Sequence, residues 1–179
     1  ERLELERGAL YVDSAGAPAA RAPEIVTPLG SFRELGTQFE VRLLEGDGAR
    51  LRVREGAVAF ERAAPAGAGE ELLVAADGEL RRGPVATHGE AWDWVLETAP
   101  MPAIEGWTLV RYLDWLARET GWRIAFADAG AAKLARTVVL HGSIERLTPA
   151  ESSAAVLGSA GFEQRLDDGI LSVAVRTPK

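Results

Sequence analysis

Apolar and polar side chains alternate with a period of two through much of the first eighty residues. Phe39, Val41 and Leu43 alternate with polar neighbours, and after the turn sequence EGDG the alternation resumes at Leu51 and Val53. Successive side chains of a strand point to opposite faces, so this period predicts half-buried strands joined as a hairpin. Short strands separated by glycines predict an all-β domain over residues 1–83, either a sandwich or a short β-solenoid.

Breaks in the alternation mark where this first domain turns. Gly56 interrupts the pattern and predicts a bulge or tight corner. The stretch Pro65 to Gly69 is predicted to be a loop. Leu72 to Val74 is predicted to be a strand that ends at the Asp77-Gly78 turn.

Beyond a boundary between about Gly83 and Glu90 the period changes to that of a helix. Leu109, Tyr112, Leu113 and Leu116 fall at i, i+3, i+4 and i+7, which places them on one helical face that ends before a glycine. A second helix is predicted to begin with TPAE at residues 148–151, a capping box with proline at the first helical position.

Segments before, between and after these helices have the length and residue types of strands. Five of them are predicted: Trp94 to Glu97, Arg123 to Ala127, Thr137 to Ile144, Glu163 to Leu166 and Ile170 to Val175. The order β-α-β, β-α-β-β predicts a small two-layer domain over residues 90–179. The whole chain is therefore expected to be of the α+β class.

Composition narrows the classes of partner and reaction. The 179 residues carry 20 basic and 27 acidic side chains, a net charge of −7, and no basic patch, so nucleic acid is not expected as a partner. The chain has no cysteine, which removes thiol catalysis and disulfides. No apolar run reaches the length of a membrane span, so neither membrane insertion nor an export signal is expected within this segment.

No residue pattern predicts a metal ion or a cofactor. The two histidines, His88 and His141, lie in different predicted domains, and neither has a second ligand at i+3 or i+4. Phosphate-binding and dinucleotide-binding glycine motifs are absent from the sequence. The expectation is a protein that needs no cofactor and is not an enzyme.

One dipeptide, Gly36-Thr37, leaves a single catalytic alternative open. Glycine followed by a β-favouring threonine suits a strand that begins after an unusual backbone angle. The same pair suits self-cleavage, in which the threonine hydroxyl attacks the Gly36 carbonyl carbon and water cleaves the resulting ester.

All five tryptophans lie between residues 92 and 122. Trp92 and Trp94 share strand parity and would project from one face of a strand. Packing explains them most simply, but tryptophan is also common at binding hot spots.

Two longer patterns resemble known families. The run TPLGSFRELGTQFEV at residues 27–41, followed by LRVREGAV at 51–58 and GEEL at 69–72, resembles the FecR family. The run LVRYLDWLARETGW at 109–122, VVLHG at 138–142, and TPAE at 148–151 leading to GF at 161–162 look like the short N-terminal (STN) domain found on secretins and TonB-dependent receptors.

The FecR resemblance implies an anti-sigma regulator of cell-surface signalling, often for iron uptake, anchored in the inner membrane. Its periplasmic part would bind the signalling domain of a TonB-dependent outer-membrane receptor. It would reach an extracytoplasmic-function sigma factor only through a cytoplasmic segment outside these residues. Some members of the family cleave themselves at a Gly-Thr bond. The resemblance therefore also implies self-cleavage here, at the matching pair Gly36 and Thr37. The alternative is a cell-envelope module that binds glycan or protein without sigma-factor regulation.

Strand addition to a sheet edge is the binding mode expected for such a receptor domain, since an edge strand presents unpaired backbone groups. The candidate edges are the predicted strand near Trp94 to Glu97 and the one from Val138 to His141, with Trp92, Trp94, Val138 and Leu140 as the candidate binding residues.

Overall fold

A computed structural model describes residues 2–14, 23–34, 36–98 and 101–177. The chain divides into two compact units, Glu1–Thr87 and His88–Lys179. Within the described residues, the first unit is built of strands and the second holds the α-helices, so the predicted α+β class is confirmed.

In the described part of the first unit, ten strands form two five-stranded sheets. They are β1 (Arg2–Glu4), β2 (Ala9–Asp13), β3 (Glu24–Thr27), β4 (Gly30–Glu34), β5 (Gln38–Leu44), β6 (Gly48–Glu55), β7 (Ala57–Phe60), β8 (Ala63–Gly67), β9 (Glu70–Val74) and β10 (Leu80–Pro84). We call the sheet with order β1-β3-β4-β7-β8 sheet A, and the sheet with order β10-β9-β6-β5-β2 sheet B.

The two sheets contribute to one hydrophobic core. Phe32 on β4 and Phe60 on β7 stack with ring centroids 4.7 Å apart, and the fully buried Phe39, Val41 and Leu51 extend the same core from sheet B. The predicted hairpin is confirmed, since Leu44 pairs with Gly48 across a turn in which Gly46 has φ 88° and Asp47 has φ 59°.

The loop predicted from Pro65 to Gly69 is wrong in its first half. Residues Ala63–Gly67 form β8, the last strand of sheet A. Proline has no N–H to donate to a ladder, and Pro65 is tolerated because β8 is an edge strand whose pairing with β7 is irregular.

The second unit combines four α-helices with three strands in its described part. They are α1 (Asp93–Thr98), α2 (Leu109–Thr120), β11 (Arg123–Phe126), α3 (Ala129–Ala135), α4 (Pro149–Ser159), β12 (Phe162–Asp167) and β13 (Ile170–Val175), and a 3-10 turn, Glu90–Trp92, precedes α1. The strands form one sheet of order β11-β13-β12, with β11 parallel and β12 antiparallel to β13.

The predicted helices are confirmed, and their caps explain where they begin. The Thr148 hydroxyl accepts from the Glu151 N–H, and the Glu151 carboxylate accepts from the Thr148 N–H at 2.8 Å, which completes the capping box. Gly121 ends α2 with φ 72°. The apolar face of α2 lies buried, as its spacing predicted.

Two predicted strands are absent, so the β-α-β, β-α-β-β order is wrong. Residues 94–97 belong to α1, because Trp92 and Val95 are buried at a helical spacing of three. Residues 137–144 contribute only an isolated bridge between Thr108 and Val139, since their partner segment runs irregularly before α2. The helix α3 was not predicted; Asp128 caps it by accepting from the Ala131 N–H at 2.8 Å.

The core of the second unit holds a tyrosine whose ionisation opposes folding. Tyr112 is fully buried, and its hydroxyl lies 2.7 Å from Ser152 Oγ. Burial, the larger effect, raises the pKa of Tyr112 to about 12, although the hydrogen bond to Ser152 lowers it. Because an unfolded tyrosine has a pKa of about 10, the neutral form is favoured in the folded state.

Alkaline pH should therefore destabilise the second unit through Tyr112. The contribution of neutral Tyr112 to the free energy of unfolding is complete below about pH 10 and is lost as the pH rises toward the pKa of the folded state. We expect Tyr112→Phe to reduce the fall in the thermal unfolding midpoint between about pH 9 and pH 11, with tryptophan fluorescence as the readout. Tyr11→Phe, at the other tyrosine, should leave the fall unchanged. An identical fall in Tyr112→Phe would show that other groups cause it.

Candidate functional site

The Gly36-Thr37 bond lies at a corner where the chain leaves sheet A and enters sheet B. β4 ends at Glu34 and β5 begins at Gln38, and Leu35 lies outside the described residues. Gly36 is exposed and has φ 84°, a left-handed conformation that glycine adopts without a side-chain penalty. Thr37, in contrast, is 1% exposed. The bond therefore joins an exposed glycine to a buried threonine.

A serine distant in sequence holds Thr37 by its backbone. The Thr37 N–H donates to Ser14 Oγ at 3.0 Å, and the Ser14 hydroxyl donates to the Thr37 carbonyl oxygen at 3.0 Å. The Ser14 N–H donates to the same carbonyl oxygen at 3.1 Å. The Gly36-Thr37 amide nitrogen is thus in contact with a hydroxyl group. No sequence pattern singled out Ser14, because its role depends on a contact across 23 positions.

A second corner packs directly against this one. Gly56 connects β6 of sheet B to β7 of sheet A with φ 75°. A Cβ atom at Gly56 would lie 2.7 Å from Thr37 Cγ2 and closer still to the Gly36 carbonyl oxygen. The corner predicted at Gly56 is present, and it is glycine because the backbone of the Gly36-Thr37 bond occupies the space beside it.

Two side-chain oxygens near this corner are buried without hydrogen bonds. They are Thr37 Oγ1 and Glu34 Oε2, and neither has a partner within the described part of the chain. A buried hydroxyl without a partner costs about 1–3 kcal/mol relative to a satisfied one. Thr37 Oγ1 is also the atom that self-cleavage requires as a nucleophile. The hydroxyl that is costly to bury is therefore the one that this reaction would use.

The candidate partner-binding tryptophans do not lie on a strand. Trp92 is fully buried at the end of the 3-10 turn, and Trp94 is half-buried in α1. Their predicted projection from one strand face is wrong, because a helical repeat separates side chains two positions apart. The other three tryptophans, Trp107, Trp115 and Trp122, are half-buried against the core of the second unit.

The second candidate edge also differs from its prediction. Leu140 is buried, Val138 packs against the core, and the exposed residue between them is Val139, at 49%. The backbone of this segment is bonded to the residues before α2: the Leu109 N–H donates to the Val138 oxygen, and the Leu140 N–H donates to the Trp107 oxygen. Val138 and Leu140 therefore serve packing rather than a free edge.

The strand β12 lies at one edge of the described sheet of the second unit, and β11 lies at the other. In the described chain β12 pairs with β13 on one side only, and most of its side chains are exposed, Leu166 by 47%. The Arg176 N–H donates to the Gly161 oxygen. Because hydrogen-bonded and non-bonded pairs alternate along an antiparallel ladder, residues 163, 165 and 167 direct their backbone groups toward β13. Phe162, Gln164 and Leu166 direct theirs toward the open edge.

No group of three metal-ligating side chains occurs within the residues that the structure describes. His141 Nδ1 lies 2.7 Å from Glu105 Oε1 on the surface. Hydrogen bonds with the Gly142 N–H, which has the larger effect, and with the His141 side chain lower the pKa of the Glu105 carboxyl group. This hydrogen-bonded pair connects the two segments that form the isolated bridge, and it has too few ligands for a metal site.

No helix in the described ranges is long and apolar enough to cross a membrane.

Comparison with known proteins gives a match to a family model and similarity to solved structures. The model of the family described as FecR protein matches residues 1–59. Two crystal structures of a provisionally assigned anti-sigma factor from Parabacteroides distasonis ATCC 8503, at 2.50 and 1.65 Å resolution, are 15% identical to this chain. Each aligns over 99% of this chain and over 81% or 82% of its own, with a TM-score of 0.44. No curated protein matches significantly.

Proposed function

We propose, since the FecR family model matches residues 1–59, that this chain is the periplasmic sensor and relay region of a FecR-type anti-sigma regulator. In this proposal the second unit binds the signalling domain of a TonB-dependent outer-membrane receptor. The full-length protein then controls an extracytoplasmic-function sigma factor through a cytoplasmic segment. The observation that carries the binding step is the open edge of β12.

The β12 edge has the features of a strand-addition site. Three of its residues direct backbone N–H and C=O groups away from β13, and the strand is six residues long, against four for β11 at the opposite edge of the sheet. Backbone hydrogen bonds to an added strand supply affinity, and alternate side chains supply selectivity. Glu163, Arg165 and Asp167 share the sheet face opposite the buried Phe162, so a partner with a complementary pattern of charges is favoured.

Proline at Leu166 should abolish receptor binding while alanine at the same position retains it. Leu166→Pro removes an N–H that points toward the open edge and leaves the β12–β13 hydrogen bonds in place. Leu166→Ala removes only an exposed side chain. We expect the wild-type chain and Leu166→Ala to capture a TonB-dependent receptor with an N-terminal signalling domain from outer-membrane extract of the source bacterium. Leu166→Pro should capture at least about tenfold less.

Mass spectrometry identifies the captured protein, and the tryptophan-monitored unfolding midpoint establishes that each variant is folded. Equal capture by folded Leu166→Pro would contradict docking at β12. Capture of secretion or glycan-associated components without such a receptor would contradict the relay proposal itself.

The alternative of a glycan-binding module has less support. Stacking on sugars needs exposed, coplanar indole rings, and each of the five tryptophans is buried or half-buried. Arg111 additionally covers the Trp107 ring at 4.1 Å from the ring centroid.

Self-cleavage at Gly36-Thr37 is a second candidate function, favoured by the buried Thr37 hydroxyl that has no hydrogen-bond partner among the described residues. Attack of Thr37 Oγ on the Gly36 carbonyl carbon closes a five-membered ring, so the nucleophile needs no large movement. Purified chain should accumulate fragments 1–36 and 37–179, and Thr37→Ala should stay intact by mass spectrometry. Intact wild-type chain after prolonged incubation would contradict this function.

A further inference from the structure

The leaving atom in cleavage of the Gly36-Thr37 bond is the Thr37 nitrogen, which is hydrogen-bonded to the Ser14 hydroxyl. Its oxygen lies 3.0 Å from the Thr37 nitrogen and accepts the N–H of that amide. We propose that Ser14 is a catalytic residue for this cleavage and assists the departure of the Thr37 nitrogen. The inference rests on the self-cleavage proposed above and adds a residue that lies outside the Gly-Thr pair.

The reaction begins as an isomerisation. Thr37 Oγ forms a bond to the Gly36 carbonyl carbon, the bond from that carbon to the Thr37 nitrogen breaks, and the proton that leaves Oγ ends on the nitrogen. An ester replaces the amide, with no net gain or loss of atoms. Water then adds to the ester carbonyl, the bond to Oγ breaks, and Oγ regains a proton. The products are a carboxyl group at Gly36 and a free amino group at Thr37.

Ser14 matches the change that the nitrogen undergoes in the first step. An amide nitrogen donates through its N–H but has no basic lone pair, whereas the amine that forms does. A hydroxyl both accepts and donates, so Ser14 Oγ can accept the N–H of the amide and then rotate to donate to the amine. The proton count of Ser14 is unchanged at the end.

The backbone around Ser14 permits that rotation. In the resting state the Ser14 hydroxyl donates to the Thr37 carbonyl oxygen at 3.0 Å. When the hydroxyl rotates, that oxygen keeps the bond from the Ser14 N–H at 3.1 Å. The buried carbonyl is therefore never left without a donor, and rotation carries a small free-energy cost.

Ser14 variants separate this role from simple support of the corner. We compare the cleavage rates of the wild-type 179-residue chain and of Ser14→Ala, Ser14→Thr and Ser14→Cys, following fragments 1–36 and 37–179 by intact mass. Hydroxylamine converts the ester to a Gly36 hydroxamate and so reports its formation directly. Ser31→Ala removes another hydroxyl of the same unit and serves as the matched control, with each unfolding midpoint measured in parallel.

Ser14→Ala should cleave at least about tenfold more slowly than wild type, Ser14→Thr should recover most of the rate, and Ser31→Ala should be unaffected. If Ser14→Ala does not fold, Ser14→Cys, whose thiol is a weak hydrogen-bond donor, should still be slowed. A wild-type rate in folded Ser14→Ala or Ser14→Cys overturns the role of Ser14 alone. Absence of fragments and hydroxamate from the wild-type chain overturns the self-cleavage and this inference with it.

Discussion

Replacing Gly56 with alanine should lower the free energy of unfolding of the first unit by about 3 kcal/mol. About 1 kcal/mol comes from placing a side chain at φ 75°, and about 2 kcal/mol from crowding the adjacent corner. The crowding is chiefly against backbone, since the atom nearest to the new Cβ would be the Gly36 carbonyl oxygen, with the Thr37 Cγ2 methyl next. Backbone cannot rotate away as a flexible side chain can, so both corners must shift.

Gly46→Ala is the matched control for this prediction. Gly46 has φ 88° and nothing within 4 Å of the position that a Cβ atom would take. Gly46→Ala should lower the free energy of unfolding only by the cost of placing a side chain at a positive φ, about 1 kcal/mol. Urea unfolding followed by far-UV circular dichroism measures both variants, and the tryptophan signal isolates the second unit because all five tryptophans lie there. An equal loss of free energy of unfolding in Gly56→Ala and Gly46→Ala would contradict the proposed crowding between the two corners.

Phe32→Ala should lower the free energy of unfolding by about 4 kcal/mol, the largest effect expected of a single substitution here. Phe32 is fully buried and stacks on Phe60 at an interplanar angle of 19°. Truncation removes the apolar area of the ring and leaves a cavity that the strands of sheet A cannot close, because their ladders hold their spacing. A loss of this size approaches the total stability of a small domain.

Phe32→Leu tests whether the cavity or the aromatic stack dominates. Leucine fills most of the volume, so the loss should fall to about 1.5 kcal/mol or less. The same urea experiment measures it. A loss in Phe32→Ala below about 2 kcal/mol would mean that Phe60 and its neighbours refill the space.

The pattern of the sequence predicted elements where one signal dominated. Alternation marked β5 and β6, which pair as the predicted hairpin. The spacing of apolar residues marked α2, and the capping box marked α4. In each of these cases the local preference of the residues agrees with their burial.

The misassigned segments are those in which local preference does not decide between helix and strand. Residues 94–97 are too few for periodicity to distinguish the two, and the burial of Trp92 and Val95 selects the helix α1. Residues 138–140 are apolar, and two of the three are β-branched as in a strand, yet their partner segment is irregular and supports a single bridge. Pairing depends on both segments, and a strand pattern in one cannot show what lies beside it.

The candidate site could be predicted only in part for the same reason. The Gly36-Thr37 pair is visible in the sequence, whereas Ser14 and Gly56 meet it only through folding. The edge at β12 follows from the sheet order, which places β13 in the middle although it comes last in the chain. Neither the contacts of Ser14 and Gly56 nor the edge position of β12 produces a periodic pattern in the sequence.

The order of strands gives the Gly36-Thr37 bond an unusual mechanical position. β2 and β4 precede the bond; β2 pairs with β5 in sheet B, and β4 pairs with β7 in sheet A. A chain severed there would hold together as two interlocked pieces, each sheet containing strands from both. Separation would require the β2–β5 and β4–β7 pairings to be lost together, so the cleaved chain would stay assembled until force or unfolding disrupted both sheets.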